Sequence, residues 1–288
     1  MKIRETIFSY ISQVIIITFK IILGLFFPII FCCIILNLLA KEQNRRLYDI
    51  GGWRALLTTA WIGTPIHELS HFLVALIANH RIIDVKLFKP DPETGSMGYV
   101  HHGYKDDNFY QAVIGNTLIA IAPFFGGSAV IYLISSFIFP DFSLFAPDVP
   151  QIHYLNIDNA LEWRSYLLFG SSAYEFFSHL VDVVFSPEML RDWKLYLFLF
   201  LMLGIANHLS PSASDFQNLW YPLSIFLGSL VLLNMITYPL VKNPEVIIAT
   251  ASRYIFVFLP ILYLAIFISA LGLVITYILY AIVSLFRR

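Results

Sequence analysis

The chain has 288 residues and is strongly apolar: 58% of its residues are hydrophobic, 13% are charged, and the formal net charge is −1 at pH 7. A soluble domain of this size needs far more charge to cover its surface. The composition therefore excludes an ordinary soluble protein and predicts an integral, multi-pass membrane protein in contact with the lipid bilayer. The near-zero net charge also argues against nucleic acid as a partner.

The first region, residues 1–54, is predicted to be a membrane anchor followed by a polar connector. Its apolar stretch is too long for a cleavable signal peptide and has no small-residue cleavage site, so we expect it to be retained. Residues 1–20 are expected to begin at the membrane interface, before a span near 21–40. The polar stretch over 41–54 then leads to the next span.

Further apolar runs long enough, or nearly long enough, to cross a bilayer follow near residues 55–79, 112–139, 193–209, 218–240 and 254–286. They bring the predicted total to about six spans, so the expected fold class is an all-α polytopic membrane protein. We assign residues 55–240 to a membrane core and 241–288 to a carboxy-terminal span. Lysine and arginine divide evenly between the two sides, so the positive-inside rule predicts neither orientation.

The motif HELSH, at positions 67–71, lies in the middle of the second predicted span. His67 and His71 are four residues apart, so they project from one face of a helix and can share a single Zn²⁺. Glu68 between them is placed to act as a base on a metal-bound water. Ionisable groups inside a membrane are costly and mark functional sites. We therefore predict a zinc hydrolase whose site lies within the membrane.

A catalytic zinc takes three protein ligands and keeps one position open for water, so the motif leaves one ligand to be found. Asp215 is the first candidate, because it lies in a polar break, residues 207–215, at the edge of an apolar run. Such a break is tolerated at membrane depth where it lines a cavity. Alternatively, Asp215 caps the next helix and His208 is the ligand. His101 and His102 are weaker candidates, because paired histidines in a hairpin are usually solvated.

Two segments between the spans are predicted to have structure of their own. Residues 82–104 have strand-forming residues on both sides of a turn at 90–95, so we expect a membrane-associated β-hairpin directly after the HExxH helix. Its edge can pair with an extended peptide, or the hairpin simply closes a loop. Residues 160–186 are expected to form an interfacial helix, and a second metal site from Glu175 and His179 is the lesser alternative.

Peptide hydrolysis through a tetrahedral intermediate also needs a hydrogen-bond donor for the developing oxyanion. We assign this role to Asn116, at the start of the third predicted span, and Asn207 is the other available side chain. Either asparagine can instead join two helices by hydrogen bonds, which is the commoner role of a buried asparagine in a membrane bundle. The candidate catalytic residues are therefore Glu68 and Asn116.

The chain resembles the site-2 protease family of intramembrane zinc metalloproteases. That family has HExxH on one transmembrane helix and a later Asn-x-x-Pro…Asp-Gly segment, whose aspartate is the third zinc ligand. In this chain Asn207 and Asp215 are eight residues apart. Pro211 lies between them, one place later than usual, and Phe216 stands where the family has glycine. The resemblance covers about residues 55–240.

The resemblance implies an intramembrane endopeptidase that cuts membrane-anchored proteins. It implies Glu68 as the residue that moves a proton from water to the leaving amine, and it assigns the zinc ligands as His67, His71 and Asp215. The expected hairpin corresponds to a membrane-associated β-region in which substrate is thought to pair. Because a transmembrane helix hides its peptide bonds in its own hydrogen bonds, the substrate must unwind before it is cut.

Two other function classes are open at this point. A zinc-binding membrane scaffold or sensor that does not cleave is disfavoured, because Glu68 has little reason to lie between two ligands that only bind metal. A metal-ion transporter usually has acidic or histidine side chains along successive spans, and the other spans here are nearly free of them. The sequence indicates neither the identity of the substrate, nor the cleavage position, nor the oligomeric state.

Overall fold

A computed structural model describes residues 2–104, 108–140, 161–209, 213–240 and 258–287 of the chain. These residues are mostly helical and form eight α-helices and one small antiparallel sheet of two strands. The predicted helical architecture with a single hairpin is therefore confirmed. Insertion into a membrane stays a prediction.

The helices are α1 Lys2–Ile21, α2 Phe27–Ile77, α3 Asn116–Ile138, α4 Trp163–Val184, α5 Pro187–Arg191, α6 Trp193–Ala206, α7 Ala213–Thr237 and α8 Leu259–Phe286. Short π-helical turns, Ile22–Phe26 and Tyr110–Gly115, precede α2 and α3. The two strands are β1 Arg81–Lys86 and β2 Tyr99–Gly103, which lie between α2 and α3 in the chain.

Four helices in the described ranges are long and apolar enough to cross a membrane: Glu5–Gly24, Phe27–Ile77, Tyr110–Ile138 and Leu259–Phe286. Two shorter apolar helices are Trp193–Ala206 and Leu223–Thr237. Helix α1 qualifies by itself, whereas the sequence placed the first span near 21–40. The count of about six spans stays a prediction, and residues 241–257 of the predicted carboxy-terminal region lie outside the described residues.

Helix α2 is one long element that contains the first two predicted spans. Its backbone is non-helical at Gly51 and Gly52, where φ is −142° and 62°, so α2 divides into a first arm, residues 27–50, and a second arm, residues 53–77. The left-handed φ of Gly52 suits a residue without a Cβ. The expected polar connector at 41–54 is therefore mostly helical and forms the end of the first arm.

The polar end of the first arm is held by side chains. Glu42 and Arg46, one turn apart, form an ion pair with Nε and Oε1 2.8 Å apart. Arg287, just after α8, donates hydrogen bonds to the carbonyl oxygens of Asp49 and Ile50 at 2.7 and 2.6 Å. The last carbonyl groups of a helix have no partner within it, so Arg287 satisfies groups that the kink leaves free. These contacts explain why a polar stretch is helical here.

The core is formed by α2, α3, α4, α6 and α8, and α2 makes its most extensive contacts with α3, α6 and α8. Helix α4 is the helix predicted near 160–186. It buries one face, made of Phe169, Phe176, Leu180 and Val184, and leaves residues such as Tyr174 exposed. This one-sided burial is typical of an amphipathic helix. In the described chain, Glu175 and His179 belong to no cluster of three metal-binding side chains.

Helices α2 and α6 approach each other through glycine. A Cβ added to Gly63 would lie 2.1 Å from the carbonyl oxygen of Gly204 and 2.4 Å from Nδ1 of His208. No other side chain fits at this distance, and small residues are the usual means of close helix contact in membrane proteins. The approach brings the end of α6 beside the HELSH motif.

Strands β1 and β2 form the predicted hairpin directly after α2. They pair in antiparallel register, with Arg81 opposite Gly103 at the open end. The turn is closed by Asp91, whose carboxylate accepts hydrogen bonds from the backbone amide of Glu93 and the hydroxyl of Thr94. These bonds hold the pKa of Asp91 below its usual value. The hairpin therefore has an ordered turn and directly follows the helix that contains the HELSH motif.

Candidate metal centre

The second arm of α2 presents both histidines of the motif on one face. The ring centroids of His67 and His71 are 4.8 Å apart, and their Nε2 atoms are 3.1 Å apart. Two nitrogens bound to one tetrahedral Zn²⁺ at ordinary bond lengths lie about 3.3 Å apart. The spacing of the two rings therefore fits a single metal ion.

A carboxylate from the first turn of α7 completes the group. Asp215 has Oδ2 3.5 Å from Nε2 of His67 and Oδ1 3.3 Å from Nε2 of His71. One ligand atom from each of the three residues lies within 4.8 Å of the other two. Among the described residues this is the one group of three or more His, Cys, Asp or Glu side chains that could hold a metal ion.

The alternative role of Asp215 as a helix cap does not match where α7 begins. The helix starts at Ala213, so Asp215 lies inside its first turn rather than before it. Pro211, which belongs to the Asn…Pro…Asp segment, lies outside the described residues. The geometry thus gives Asp215 the position expected of the third ligand.

Both histidines are oriented by backbone carbonyl groups. Nδ1 of His67 donates to the carbonyl oxygen of His208, and Nδ1 of His71 donates to that of Ile119, each at 2.8 Å. A carbonyl oxygen only accepts, so Nδ1 has a proton, and in the neutral ring the lone pair is on Nε2, which faces the centre. Hydrogen bonds of this kind are the usual support of metal-binding histidines. The donors of this site therefore fit a zinc ion.

The burial of the three side chains also favours a cation. The side chain of Asp215 is 15% exposed, and those of His67 and His71 are 10% and 9% exposed. A carboxylate removed from water is costly unless a positive charge or hydrogen bonds compensate it. A divalent cation between these groups would supply that charge.

Glu68 lies under the hairpin. Its side chain is buried, with 9% of the residue exposed. A Cβ added to Gly98, immediately before β2, would lie 2.9 Å from Cγ of Glu68 and 2.8 Å from the carbonyl oxygen of Leu87. Because only glycine fits so closely, the hairpin contacts the Glu68 side chain directly and forms one wall of the site.

The rival third ligands lie elsewhere. Nδ1 of His208 is 3.0 Å from an α6 carbonyl oxygen one turn earlier, and it is the backbone of His208 that contacts the metal-binding group. His101 stacks on Tyr99 with ring centroids 4.4 Å apart. His102 is not simply solvated, as the sequence suggested, because it faces the buried ring of His80. None of the three joins the cluster in the described residues.

The two candidate oxyanion donors differ in their surroundings. Nδ2 of Asn116 donates to the carbonyl oxygen of Ala112, in the π-helical turn before α3, at 3.0 Å. Asn207 is 5% exposed, and its Oδ1 and Nδ2 have no hydrogen-bond partner among the described residues. It precedes His208, whose carbonyl group holds His67. A buried amide without a partner is rare, which makes Asn207 the more available donor.

Comparison of the chain with protein-family models, with curated proteins and with solved structures finds no match. The resemblance to site-2 proteases therefore rests on the motif residues and stays a prediction.

Proposed function

We propose that this protein is an intramembrane zinc metalloendopeptidase that hydrolyses peptide bonds of membrane-anchored proteins. The observation that carries the proposal is the convergence of His67, His71 and Asp215 from two helices far apart in the chain, with Glu68 in the same motif. A His₂-carboxylate set leaves a fourth position open, as catalytic zinc sites do. The four long apolar helices support a site within a membrane.

Glu68, two backbone carbonyl groups and the hairpin have separate roles in the proposed hydrolysis. Bound Zn²⁺ would activate water and polarise the scissile carbonyl group. Glu68 accepts a proton from the attacking water and returns it to the leaving nitrogen. The carbonyl groups of His208 and Ile119 keep both imidazole rings in the tautomer that binds metal. The hairpin, which covers Glu68 at Gly98, limits access of bulk water.

Removal and return of the metal tests the proposal. The full chain is reconstituted in liposomes with a panel of single-pass membrane proteins, and cleavage is followed by gel and mass spectrometry. We expect a strong zinc chelator to abolish cleavage and added Zn²⁺ to restore it. Cleavage that persists in metal-free protein contradicts the proposal. Zinc binding with no cleavage of any panel member would instead support a zinc-binding scaffold or sensor. Zinc flux into the liposomes would support a metal-ion transporter.

The oxyanion donor is tested by a matched pair of variants. We expect Asn207→Ala to lower kcat by about 10²–10³-fold, as loss of one oxyanion donor does, while zinc content is unchanged. Asn116→Ala is expected to stay within about threefold of the parent, because its amide already donates to a backbone carbonyl group one turn earlier. The reverse result would assign the role to Asn116. Equal, small effects would mean that neither asparagine contacts the reacting carbonyl group.

A further inference from the structure

A second pair of histidines repeats the geometry of the pair in the metal centre. The Nδ1 atoms of His80 and His102 are 2.9 Å apart and their ring centroids 4.9 Å apart. The corresponding distances for His67 and His71 are 3.1 and 4.8 Å. His80 follows the end of α2 and His102 lies on β2, so the pairing of the hairpin brings them together rather than helical spacing.

His80 is held as metal-binding histidines are held. It is 5% exposed, and its Nε2 lies 3.1 Å from the carbonyl oxygen of Gln111. Because that oxygen only accepts, the proton is on Nε2, and Nδ1 presents its lone pair to His102. A backbone carbonyl group fixes His67 and His71 in the same way. His80 therefore has the orientation of a ligand, although it belongs to no ligand set described above.

Gln111 is itself fixed, which makes the support of His80 rigid. Its side-chain amide donates to the carbonyl oxygen of Asn79 at 2.6 Å. Asn79 has a left-handed φ of 59° at the end of α2, where the chain turns into β1. The His80 ring is therefore held by the π-helical turn before α3, which is itself bonded to the end of α2.

The electrostatic environment of His80 and His102 favours a cation bound by neutral imidazoles. The backbone amide of His80 donates to the carbonyl oxygen of Ala75, so the ring lies at the carboxyl end of α2, where the helix dipole attracts positive charge. Burial lowers the pKa of His80. Burial, with nearby histidines as smaller causes, lowers the pKa of His102 to about 4. Both rings are therefore neutral at neutral pH, as metal binding requires.

We propose that His80 and His102 bind a second transition-metal cation, with Zn²⁺ the natural probe because imidazole suits it. His102 is only partly buried, and the neighbouring Tyr104 is 41% exposed, so water can approach from the His102 side and complete the coordination. The cation joins the end of α2 to the hairpin that covers Glu68. Two protein ligands bind less tightly than three, so this site fills at a higher free zinc concentration than the first.

Zinc counting on the full chain in detergent micelles tests the second site. Protein is equilibrated with buffered free Zn²⁺ at increasing concentration, and zinc per chain is measured by mass spectrometry. We expect two zinc ions per parent chain and one per His102→Ala chain. His101→Ala is the matched control, because His101 is the neighbouring residue but stacks on Tyr99 instead of facing His80. It should keep two.

Each outcome decides the question. One zinc in both the parent and His102→Ala, or two in both, overturns the second site and leaves an imidazole–imidazole hydrogen bond only. One zinc in the parent and none in His102→Ala supports this site and contradicts the centre at Asp215, so the two proposals can fail separately. His102→Gln keeps a hydrogen-bonding side chain on β2. Loss of one zinc in that variant too shows that collapse of the hairpin is not the cause.

Discussion

Glu68→Gln is expected to bind zinc as the parent does and to lose about 10²–10⁴-fold in cleavage rate, the usual contribution of a general acid–base group. Glutamine has nearly the same size and shape as glutamate, so it fits under Gly98 without moving the hairpin. It cannot take up a proton from water at neutral pH. The measurement is zinc content by mass spectrometry together with initial rates on a reconstituted membrane substrate.

Glu175→Gln is the matched control for this variant. Glu175 is an exposed carboxylate on α4 outside the metal-binding group, so its substitution should change neither zinc content nor rate. If Glu68→Gln cleaves at the parent rate, Glu68 is not the base and the peptidase mechanism is wrong. If Glu68→Gln loses zinc as well as activity, the residue supports the metal centre, and its role in proton transfer is not the reason for the loss.

The parts of the site that follow from local geometry could be predicted from the sequence. In an α-helix, residues four apart share a face, so the spacing of His67 and His71 was enough to predict that their rings lie side by side. The hairpin was equally local, since strand-forming residues flank a turn that Asp91 closes. The long apolar helices follow from composition, although the kink at Gly51 and Gly52 hides one boundary between predicted spans.

The choice of the third ligand depended on tertiary structure. His208 and Asp215 lie in the same polar break, and helix spacing cannot separate them. The structure separates them because Gly63 admits the ring of His208 between α2 and α6, which leaves its carbonyl group for His67. Asp215 enters from the first turn of α7. Packing between helices therefore decided which side chain faces the two rings.

Two features of the structure could not be predicted from the sequence. The carbonyl groups that orient the histidines belong to Ile119 and His208, and a backbone carbonyl is the same in every residue. The pairing of His80 with His102 depends on the register of the hairpin, which is shifted by an irregularity near its open end. His80 and His102 are 22 residues apart, and without the register that separation does not indicate that they are in contact.

Asp215→Ser and Asp215→His separate the two roles that the sequence allowed for this residue. If Asp215 is a zinc ligand, serine abolishes stoichiometric zinc binding and histidine, which supplies a nitrogen donor, retains much of it. Loss of a residue that only hydrogen-bonds to a metal ligand costs about 10–100-fold in metal affinity, so loss of a direct ligand should cost more. Zinc affinity is measured by competition with a chromophoric chelator on the full chain in micelles.

If Asp215 instead stabilises the start of α7, Asp215→Ser is expected to resemble the parent more closely than Asp215→His does. Serine is among the best residues at the start of a helix, and loss of such a cap costs about 0.5–2 kcal/mol of stability. Asp215→Ser would then keep both the melting temperature and the zinc, and Asp215→His would lower the melting temperature. Asp182→Ser on α4 is the control, expected to leave zinc affinity unchanged, because Asp182 lies outside the metal-binding group. Asp215 is assigned to the metal if Asp215→Ser binds zinc more weakly than Asp215→His does, while the melting temperatures of the zinc-free proteins stay close.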